Sequence, residues 1–512
     1  MAELNLKKET QEENSILNLS ADTVITHESS EEFSLPDYVP EIRRLLNVRT
    51  QVLPESKYMS DSQGGTELEF GGTLTYLVIY TNDEGKLCSL PLTSAYDARA
   101  SLPTRPTTVF IDTTVETTSP RVTAPRKLSI KTRMKSRISG WESLDLEAKI
   151  DGKSSADELF MERKTSREKA MSLKAISMTG ITASDKLDVS DIKNPMPIWC
   201  DASIVINDTK AQNNSVSVRG EITVKCICES QGDIVTVSKS IPLAEEIEAQ
   251  GASNGDMARV CPRCVSLSVS NEQSTENEQL FFDLVCELEG ELIRNGDVTL
   301  IRDCYSTKYE TEEEYTVADI YRAVRVQNAS FSLNESVKRK GKELSEITSI
   351  ICDPVYEKTD YKNGKAIILG RVNLVVIGRG EGDEAEYVSE SYELPYKYAL
   401  DIGNTGWEIV SKCDVYAKDV QARLEGEKLA VNMQLYPAIM IVERSKQQVL
   451  KGATLNKDRE IKKDAGSVRV YFPQEGDTLW EIAKKYHTTV SHLRENNDLS
   501  TDSTENIKSL II

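Results

Sequence analysis

A mainly β fold is predicted, with three tandem related β-rich domains, sandwich-like or barrel-like, followed by a small α+β domain ordered strand, helix, helix, strand. Three observations predict it. Short alternating runs of strand-forming residues fill most of the chain. One hairpin skeleton recurs three times at intervals of about 150 residues, which is the size of a domain. The residues after 467 instead carry signals that start helices.

Each copy of the skeleton predicts a β-hairpin. A glycine precedes a strand, an acidic turn containing glycine follows, and the second strand carries an apolar-proline-apolar triplet. The copies run from Gly71 to Leu92, from Gly220 to Leu243 and from Gly370 to Tyr396. Proline has no amide hydrogen to donate to a neighbouring strand. We therefore expect Pro91, Pro242 and Pro395 to close the pairing of their hairpins.

The spacing of the copies divides the chain into domains. We expect β-rich units at 1–160, 161–312 and 313–452, a charged linker at 453–467 and a small domain at 468–512. The linker prediction depends on the many charged residues of 453–467 and on their lack of periodicity. Because the three units fill the chain ahead of the linker, they leave no room for a separate catalytic domain.

The small domain is defined by signals along 468–512. An alternating strand at 468–472 is followed by a turn at Gly476-Asp477. Thr478 and Glu481 have the spacing of a capping box, in which a hydroxyl and a carboxylate start a helix. Thr489 opens a second short helix, Asn496-Asn497 can end it, and 509–512 forms a last strand.

This order of elements, with a Gly-Asp-Thr-Leu turn ahead of the first helix, resembles the LysM domain over almost all of 468–512. The resemblance implies a groove between that turn and the loop after the second helix. In the family, an N-acetylglucosamine chain or, in some members, a protein surface lies in this groove. Carried over by position, the groove residues are Gly476, Asp477, Thr478, Leu479, Trp480, Asn497, Asp498, Leu499 and Ser500.

Two residues bear on what such a groove binds. The helical spacing of Leu479 and Ile482 turns Trp480 partly outward, where it either forms a platform for a ligand or packs against the fold. Ile507 stands where the family usually has a glycine, in a turn that borders the groove. This departure favours a protein ligand over a glycan.

Composition excludes several classes of function. The net charge of −20 disfavours nucleic acid and anionic membranes as partners. No stretch is long and apolar enough to insert into a membrane, and the first residues lack the apolar region of a secretion signal. We therefore expect a cytoplasmic protein whose ten cysteines are reduced. Three histidines are too few to favour a histidine-based catalytic site.

The β units add a second resemblance. A β-rich unit with an opening such as LPDYVPEI at 35–42, repeated in tandem ahead of a LysM domain, resembles the SPOCS-containing, SipL-like family of clostridial spore coat morphogenetic proteins. The resemblance covers essentially the full length. It implies a non-enzymatic mother-cell protein at the forespore surface. It also implies a LysM domain that docks on the coat-basement ATPase, stage IV sporulation protein A.

Two other functions compete with this adaptor. A peptidoglycan-binding protein of the cell wall or cortex would use the same groove for a glycan. A hydrolase targeted by its LysM domain is the weakest alternative, since the three units share no histidine, cysteine or serine-histidine pair that could act in catalysis.

The cysteines offer the nearest approach to a metal site. Cys261 and Cys264 form a CxxC motif, and Cys226 and Cys228 are the nearest other pair. Both pairs fall within predicted strands, where a cysteine can serve as a small buried apolar residue. We favour that interpretation over metal binding or redox chemistry, and we expect no cofactor.

Overall fold

Strands dominate the computed structural model, as the alternation of the sequence predicts. The structure describes residues 15–62, 64–151, 157–190, 192–273, 278–341, 344–381, 386–462, 469–504 and 507–512. Within these ranges the helical segments are a 3-10 turn, Asp157–Phe160, and two short α-helices near the C-terminus, α1 (Leu479–Lys485) and α2 (Val490–Asn496). The mainly β fold class is therefore confirmed.

The first sandwich has two three-stranded antiparallel sheets. Its strands are β1 (Ser15–Ser34), β2 (Arg44–Ser62), β3 (Gly65–Thr81), β4 (Leu87–Leu102), β5 (Thr108–Ala124) and β6 (Lys127–Asp145). The sheet orders are β2-β3-β4 and β1-β6-β5. The sixth strand therefore returns to pair with both the first and the fifth. A short strand, β7 (Lys149–Asp151), follows.

The second and third sandwiches repeat this strand order. The second comprises β8 (Met161–Leu187), β9 (Met196–Gln212), β10 (Ser215–Ser230), β11 (Asp233–Glu248), β12 (Met257–Gln273) and β13 (Glu278–Ser306). The third comprises β14 (Tyr309–Asn328), β15 (Phe331–Lys338), β16 (Glu346–Lys362), β17 (Lys365–Arg379), β18 (Tyr387–Asp401), β19 (Glu408–Glu425) and β20 (Lys428–Glu460). In the third, β14 and β15 share the role of the first strand, and both pair with β20. The sheets are open and face one another, so the sandwich form of the prediction is the one observed.

The repeated glycine marks a bulge in each hairpin sheet. The register between the first two strands shifts beside Gly72, Gly220 and Gly370. A Cβ atom at these positions would lie 2.1 to 2.2 Å from a carbonyl oxygen of the neighbouring strand. Only glycine allows that approach, so the sequence skeleton records a close contact between backbones.

The prolines do not end the hairpins, and that prediction is wrong. Pro91 lies opposite Leu77, Pro242 opposite Glu221 and Pro395 opposite Arg371, and the pairing continues beyond each proline. The prolines lie in β4, β11 and β18, which are the edge strands of their sheets. At an edge, the missing amide hydrogen can face away from the neighbouring strand.

Each sandwich encloses its own apolar core. Both sheets contribute buried side chains, for example Leu74 and Ile130 in the first sandwich, Val224 and Phe282 in the second, and Leu374 in the third. Cys226, Cys228 and Cys286 lie in the second core, as small apolar residues do. Burying these side chains between two sheets supplies the main stabilisation of each sandwich.

The sandwiches also share apolar layers with one another. Ile79, Ile227 and Ile377 each lie seven residues after the repeated glycine, and one buried cluster contains all three. A second cluster joins Trp141 of β6 and Ile293 of β13 to residues of β14 and β20. Equivalent strands of the three repeats therefore pack together, which makes them one body.

Ion pairs also connect the three sandwiches. Arg49 of the first sandwich binds Asp201 of the second at 2.5 Å and Asp353 of the third at 2.9 Å. Between the second and third sandwiches, buried Glu291 binds Arg259 at 2.9 Å and Lys412 at 2.6 Å. Buried charges of this kind are tolerated because they are paired and hydrogen-bonded.

The predicted linker is wrong for its first part. The segment 453–460 continues β20, and Gly452–Thr454 pairs in parallel with β7. Ala453 and Leu455 are buried while Thr454 between them is exposed, an alternation that the charged residues masked in the sequence. Residues 463–468 lie outside the described part of the chain. The division into domains at the proposed boundaries stays a prediction.

Candidate functional site

The C-terminal domain has the predicted order of elements around a small core. β21 (Val470–Tyr471) and β22 (Leu510–Ile511) pair antiparallel, and α1 and α2 lie between them in the chain. The helices and β22 bury five apolar side chains: Leu479, Ile482, Ala483, Leu493 and Leu510. The helical spacing in the sequence therefore identified the inward face of α1 correctly.

The turn ahead of α1 is held by its own polar groups. The Thr478 hydroxyl accepts a hydrogen bond from the Glu481 amide at 3.2 Å, and the Thr478 amide donates to the Glu481 carboxylate at 3.1 Å. This confirms the capping box. The Asp477 carboxylate accepts from the Gln474 amide at 2.8 Å and from the Tyr471 hydroxyl at 2.7 Å. These two hydrogen bonds lower the pKa of Asp477.

The loop after α2 uses one of its predicted groove residues for folding. The Asn497 side chain donates to the carbonyl oxygens of Leu493 and Ile511, both at 2.8 Å, and accepts from the Ile511 amide at 2.7 Å. Asn497 therefore ties the end of α2 to β22. The left-handed residue that ends the helix is Asp498, with φ of 51°, one position later than the predicted stop.

A hydrogen bond connects the predicted turn to a residue that lies beyond the second predicted loop. The Thr504 hydroxyl donates to the carbonyl oxygen of Asp477, which joins the segment after α2 to the turn ahead of α1. Gly476, Asp498 and Ser500 are exposed, and Asp477, Thr478 and Leu499 are half-buried. We call the surface formed by Gly476–Thr478 and Asp498–Ser500 the loop surface. That it binds a ligand stays a prediction.

Two predicted groove residues lie elsewhere. Leu479 is fully buried in the core of the domain. Trp480 packs edge-on against Tyr305 of β13, with ring centroids 5.0 Å apart, and its indole nitrogen donates to Asp303 at 2.7 Å. Of the two alternatives for Trp480, the structure therefore shows packing, and the surface it packs against belongs to the second sandwich.

Further polar contacts surround Trp480. Lys484 of α1 binds Asp303 at 2.7 Å and Glu313 of β14 at 2.9 Å. The Tyr305 hydroxyl donates to the Thr488 carbonyl oxygen at 2.7 Å. Burial acts to raise the pKa of Asp303, but hydrogen bonds from Lys484, Trp480 and Tyr315 outweigh it and lower the pKa below its usual value. The C-terminal domain therefore packs directly against β13 and β14 of the sandwiches.

Comparison with protein families agrees with both resemblances. A family model described as the SPOCS domain of SipL matches residues 188–270, which span β9, β10, β11 and most of β12 in the second sandwich. A LysM domain model matches residues 474–508. The chain carries a SPOCS domain and a LysM domain. Comparison with curated proteins and with solved structures finds no match to the chain.

These two domain types indicate a sporulation-related protein that has a domain of a peptidoglycan-binding type. Neither type is catalytic. Over the described ranges, no group of three or more histidine, cysteine, aspartate or glutamate side chains could hold a metal ion. The same residues contain no helix with the length and apolar character needed to span a bilayer.

The two cysteines of the CxxC motif do not share one face of the sheet. Both cysteines lie in β12, where a spacing of three residues directs side chains to opposite faces of the sheet. Cys261 contacts Asp414 of the third sandwich, whereas Cys264 packs beside the second core. Burial raises the pKa of both thiols, which disfavours the reactive thiolate.

Sequence reasoning missed the three residues of the sandwiches that contact the LysM domain, Asp303, Tyr305 and Glu313, and Tyr315, which donates a hydrogen bond to Asp303. Glu313 lies in the acidic run 310–314. The structure places that run in β14, where Glu310 and Glu314 pair with Arg459 and Lys451 of β20. No local signal in the sequence distinguishes Glu313 from its neighbours.

Proposed function

We propose that this protein is a non-enzymatic assembly adaptor of the spore coat. Its LysM domain docks, through the loop surface, on a coat-basement morphogenetic ATPase that resembles stage IV sporulation protein A. The site of action is the forespore surface, in the mother-cell cytoplasm. The observation that supports this proposal most strongly is the presence of a SipL-type SPOCS domain and a C-terminal LysM domain in one chain.

The architecture suits an adaptor. Three sandwiches that share apolar layers form one body, and a body of this kind can present several faces to neighbours in a layered assembly. A LysM domain seated on that body adds one more contact. Several weak contacts on one body bind a multivalent surface more tightly than any of them does alone.

The state of the loop surface favours a protein ligand over a glycan. Aromatic rings and fixed polar groups are the features that hold small ligands in concave sites. Here the ring of Trp480 packs against Tyr305, and the Asp477 carboxylate is hydrogen-bonded within its own turn. The exposed part of the loop surface consists of backbone at Gly476 and of Asp498 and Ser500. Such a surface fits the backbone and polar groups of another protein.

The test is binding of the purified ATPase to the full chain, with variants that alter only the loop surface. We expect Ser500→Arg to weaken binding at least tenfold, because Ser500 is exposed in the proposed contact. Ser491→Arg is the matched control, since Ser491 is also an exposed serine of the same domain but lies in α2. Equal affinities for both variants would refute docking through the loop surface.

Peptidoglycan binding is the second candidate, favoured by the match of the LysM domain itself. In that case the loop surface would hold an N-acetylglucosamine polymer. Sedimentation of the full chain with purified peptidoglycan separates the two candidates. Saturable binding that Ser500→Arg abolishes supports the glycan, whereas failure to sediment, together with binding to the ATPase, supports the adaptor.

A further inference from the structure

The contact between the LysM domain and the sandwiches centres on one carboxylate. Asp303 of β13 accepts hydrogen bonds at 2.7 Å from the Trp480 indole, the Lys484 ammonium group and the Tyr315 hydroxyl. Its side chain is 18% exposed. A carboxylate that accepts three hydrogen bonds, one of them from a cation, makes strong and directional contacts. Removal of Asp303 would leave the indole nitrogen and the ammonium group short of a partner at once.

Tyr305 makes the apolar part of the same contact. It is 2% exposed, and within the described residues it is the one member of its buried cluster that comes from the sandwiches. The other buried members are the core residues of the LysM domain. Its ring meets Trp480 edge-on and its hydroxyl donates to Thr488, which follows α1. Asp303 and Tyr305 therefore hold the same helix from the same strand.

The LysM domain has internal contacts that do not involve Asp303. The capping box, the pairing of β21 with β22 and the hydrogen bonds of Asn497 all lie within the domain. The four buried residues Leu479, Ile482, Leu493 and Leu510 pack on one another. The domain thus has its own core and its own hydrogen bonds, so the contact with β13 can open while both sides remain folded.

We propose that Asp303, Tyr305 and Glu313 form a latch that closes the Trp480 face of the LysM domain against β13. The latched state fixes the orientation of the loop surface relative to the sandwiches. It also occupies the indole nitrogen of Trp480 and the side of its ring that packs against Tyr305. A ligand that stacks on the indole competes with the latch, while a ligand of the loop surface does not. This inference concerns the contact itself and holds whichever ligand the loop surface binds.

The experiment is ¹⁹F NMR of the full chain labelled with 5-fluorotryptophan. Besides Trp480, the chain has Trp141, Trp199 and Trp407, all in the sandwiches, so four resonances are expected and Trp480→Phe assigns one of them. The difference in chemical shift between H₂O and D₂O reports the exposure of each ring. For the latched chain, we expect a small difference for Trp480.

Two variants open the latch from opposite sides. Asp303→Ala removes the acceptor on β13, and Lys484→Glu reverses the charge on α1 and places it against Asp303 and Glu313. In both variants, we expect the chemical shift of the Trp480 resonance to change and its difference between H₂O and D₂O to increase. The three other resonances should keep their chemical shifts, which shows that the sandwiches are intact. If Asp303→Ala also shifts the resonances of the sandwiches, the Lys484→Glu variant decides the test, because its substitution lies in α1 and not in β13.

Asp502→Asn is the matched control. It removes an ion pair of similar length, Arg494 to Asp502 at 2.6 Å, which lies within the LysM domain away from β13. We expect it to leave the Trp480 resonance unchanged. The latch is refuted if Trp480 is already exposed in the unmodified chain, or if neither Asp303→Ala nor Lys484→Glu moves its resonance.

Discussion

The sandwiches meet one another through layers to which each contributes several buried apolar side chains, whereas the LysM domain meets them mainly through Trp480 and Lys484. In the shared layers, Ile227 and Ile377 are almost completely buried. At the latch, Asp303 accepts hydrogen bonds from Trp480 and Lys484, and Tyr305 donates one to Thr488 while its ring packs against Trp480. Apolar burial therefore joins the three sandwiches to one another, whereas hydrogen bonds and an ion pair contribute much of the contact between the sandwiches and the LysM domain.

This difference has a physical consequence. Separating two sandwiches exposes apolar surface to water, at a cost of about 25 cal/mol for each Å². Breaking a hydrogen bond at the latch returns both partners to water, so each costs about 1–3 kcal/mol, with the larger values for the bonds to the Asp303 carboxylate. We therefore expect the sandwiches to unfold together and the LysM domain to detach or unfold by itself. The predictions that follow test this difference, from the largest expected effect to the smallest.

Ile482→Asp should unfold the LysM domain and spare the sandwiches. Ile482 is 2% exposed on the inward face of α1, so an aspartate there would bury an unpaired carboxylate. The core of so small a domain supplies only about 3–5 kcal/mol, which is too little to absorb that cost. Hydrogen exchange of the full chain should show loss of protection in 479–496 alone. Ser491→Asp, at an exposed position of α2, is the control that should change nothing.

Glu291→Ala should destabilise the sandwiches by about 3 kcal/mol, because it removes the buried carboxylate that pairs with both Arg259 and Lys412 and leaves Arg259 with only Asp414 and the Ala438 carbonyl oxygen. The unfolding midpoint in urea measures this loss. Glu289→Ala on the same strand removes a half-exposed partner of Arg263 and should cost less than about 1 kcal/mol. If the two variants had equal midpoints, the buried network would contribute nothing to joining the sandwiches.

Acid should weaken the same network. Burial acts to raise the pKa of Glu291, but Lys412 and Arg259 outweigh it and lower the pKa from 4.5 to about 2. A carboxylate whose pKa is lower in the folded state stabilises that state above pH 4.5 and loses this contribution as the pH falls towards 2. We expect the free energy of unfolding to fall by about 2 kcal/mol from this group between pH 5 and pH 3. Glu291→Gln should lack this component, and a Glu291→Gln chain with the unmodified pH dependence would contradict the assignment.

Asn497→Ala should loosen only the end of the LysM domain. It removes hydrogen bonds to Leu493 and to both backbone groups of Ile511, at a net cost of about 1 kcal/mol because the site is half-exposed. Faster hydrogen exchange of the Ile511 amide measures the effect. Ser500→Ala, in the same loop, should leave that exchange rate unchanged. Unchanged exchange in Asn497→Ala would mean that β22 is held without the asparagine.

The sequence predicts well what depends on neighbouring residues. The alternation of strands and the capping box of Thr478 and Glu481 are both local, and the structure contains each of them. The repeated glycines are predicted to precede their strands, but they lie within the strands, at bulges that depend on the neighbouring strand. The prolines are also local, but their effect depends on whether a strand lies at the edge of its sheet. Strand order is a property of the whole fold, so Pro91, Pro242 and Pro395 could not be interpreted correctly from their surroundings.

The candidate site shows the same limit. Its turn and its helices follow from short patterns, so the turn at Gly476 could be predicted, whereas the left-handed stop of the second helix lies at Asp498, one residue later than predicted. The contact between Trp480 and Asp303 joins residues 177 positions apart, and neither residue carries a sign of the other. The LysM resemblance places Asn497 in the groove because this residue lies in the loop after the second helix. Its bonds to Ile511 depend on where β22 returns, which the local pattern does not reveal.

The most direct test of the account is the affinity of the purified coat-basement ATPase for the full chain and for its Ile482→Asp variant, measured by biolayer interferometry. The account predicts that the full chain binds, and that binding is lost when the LysM domain is unfolded, although the sandwiches remain intact. Equal affinity for the two chains would contradict it, because the docking surface would then lie on the sandwiches.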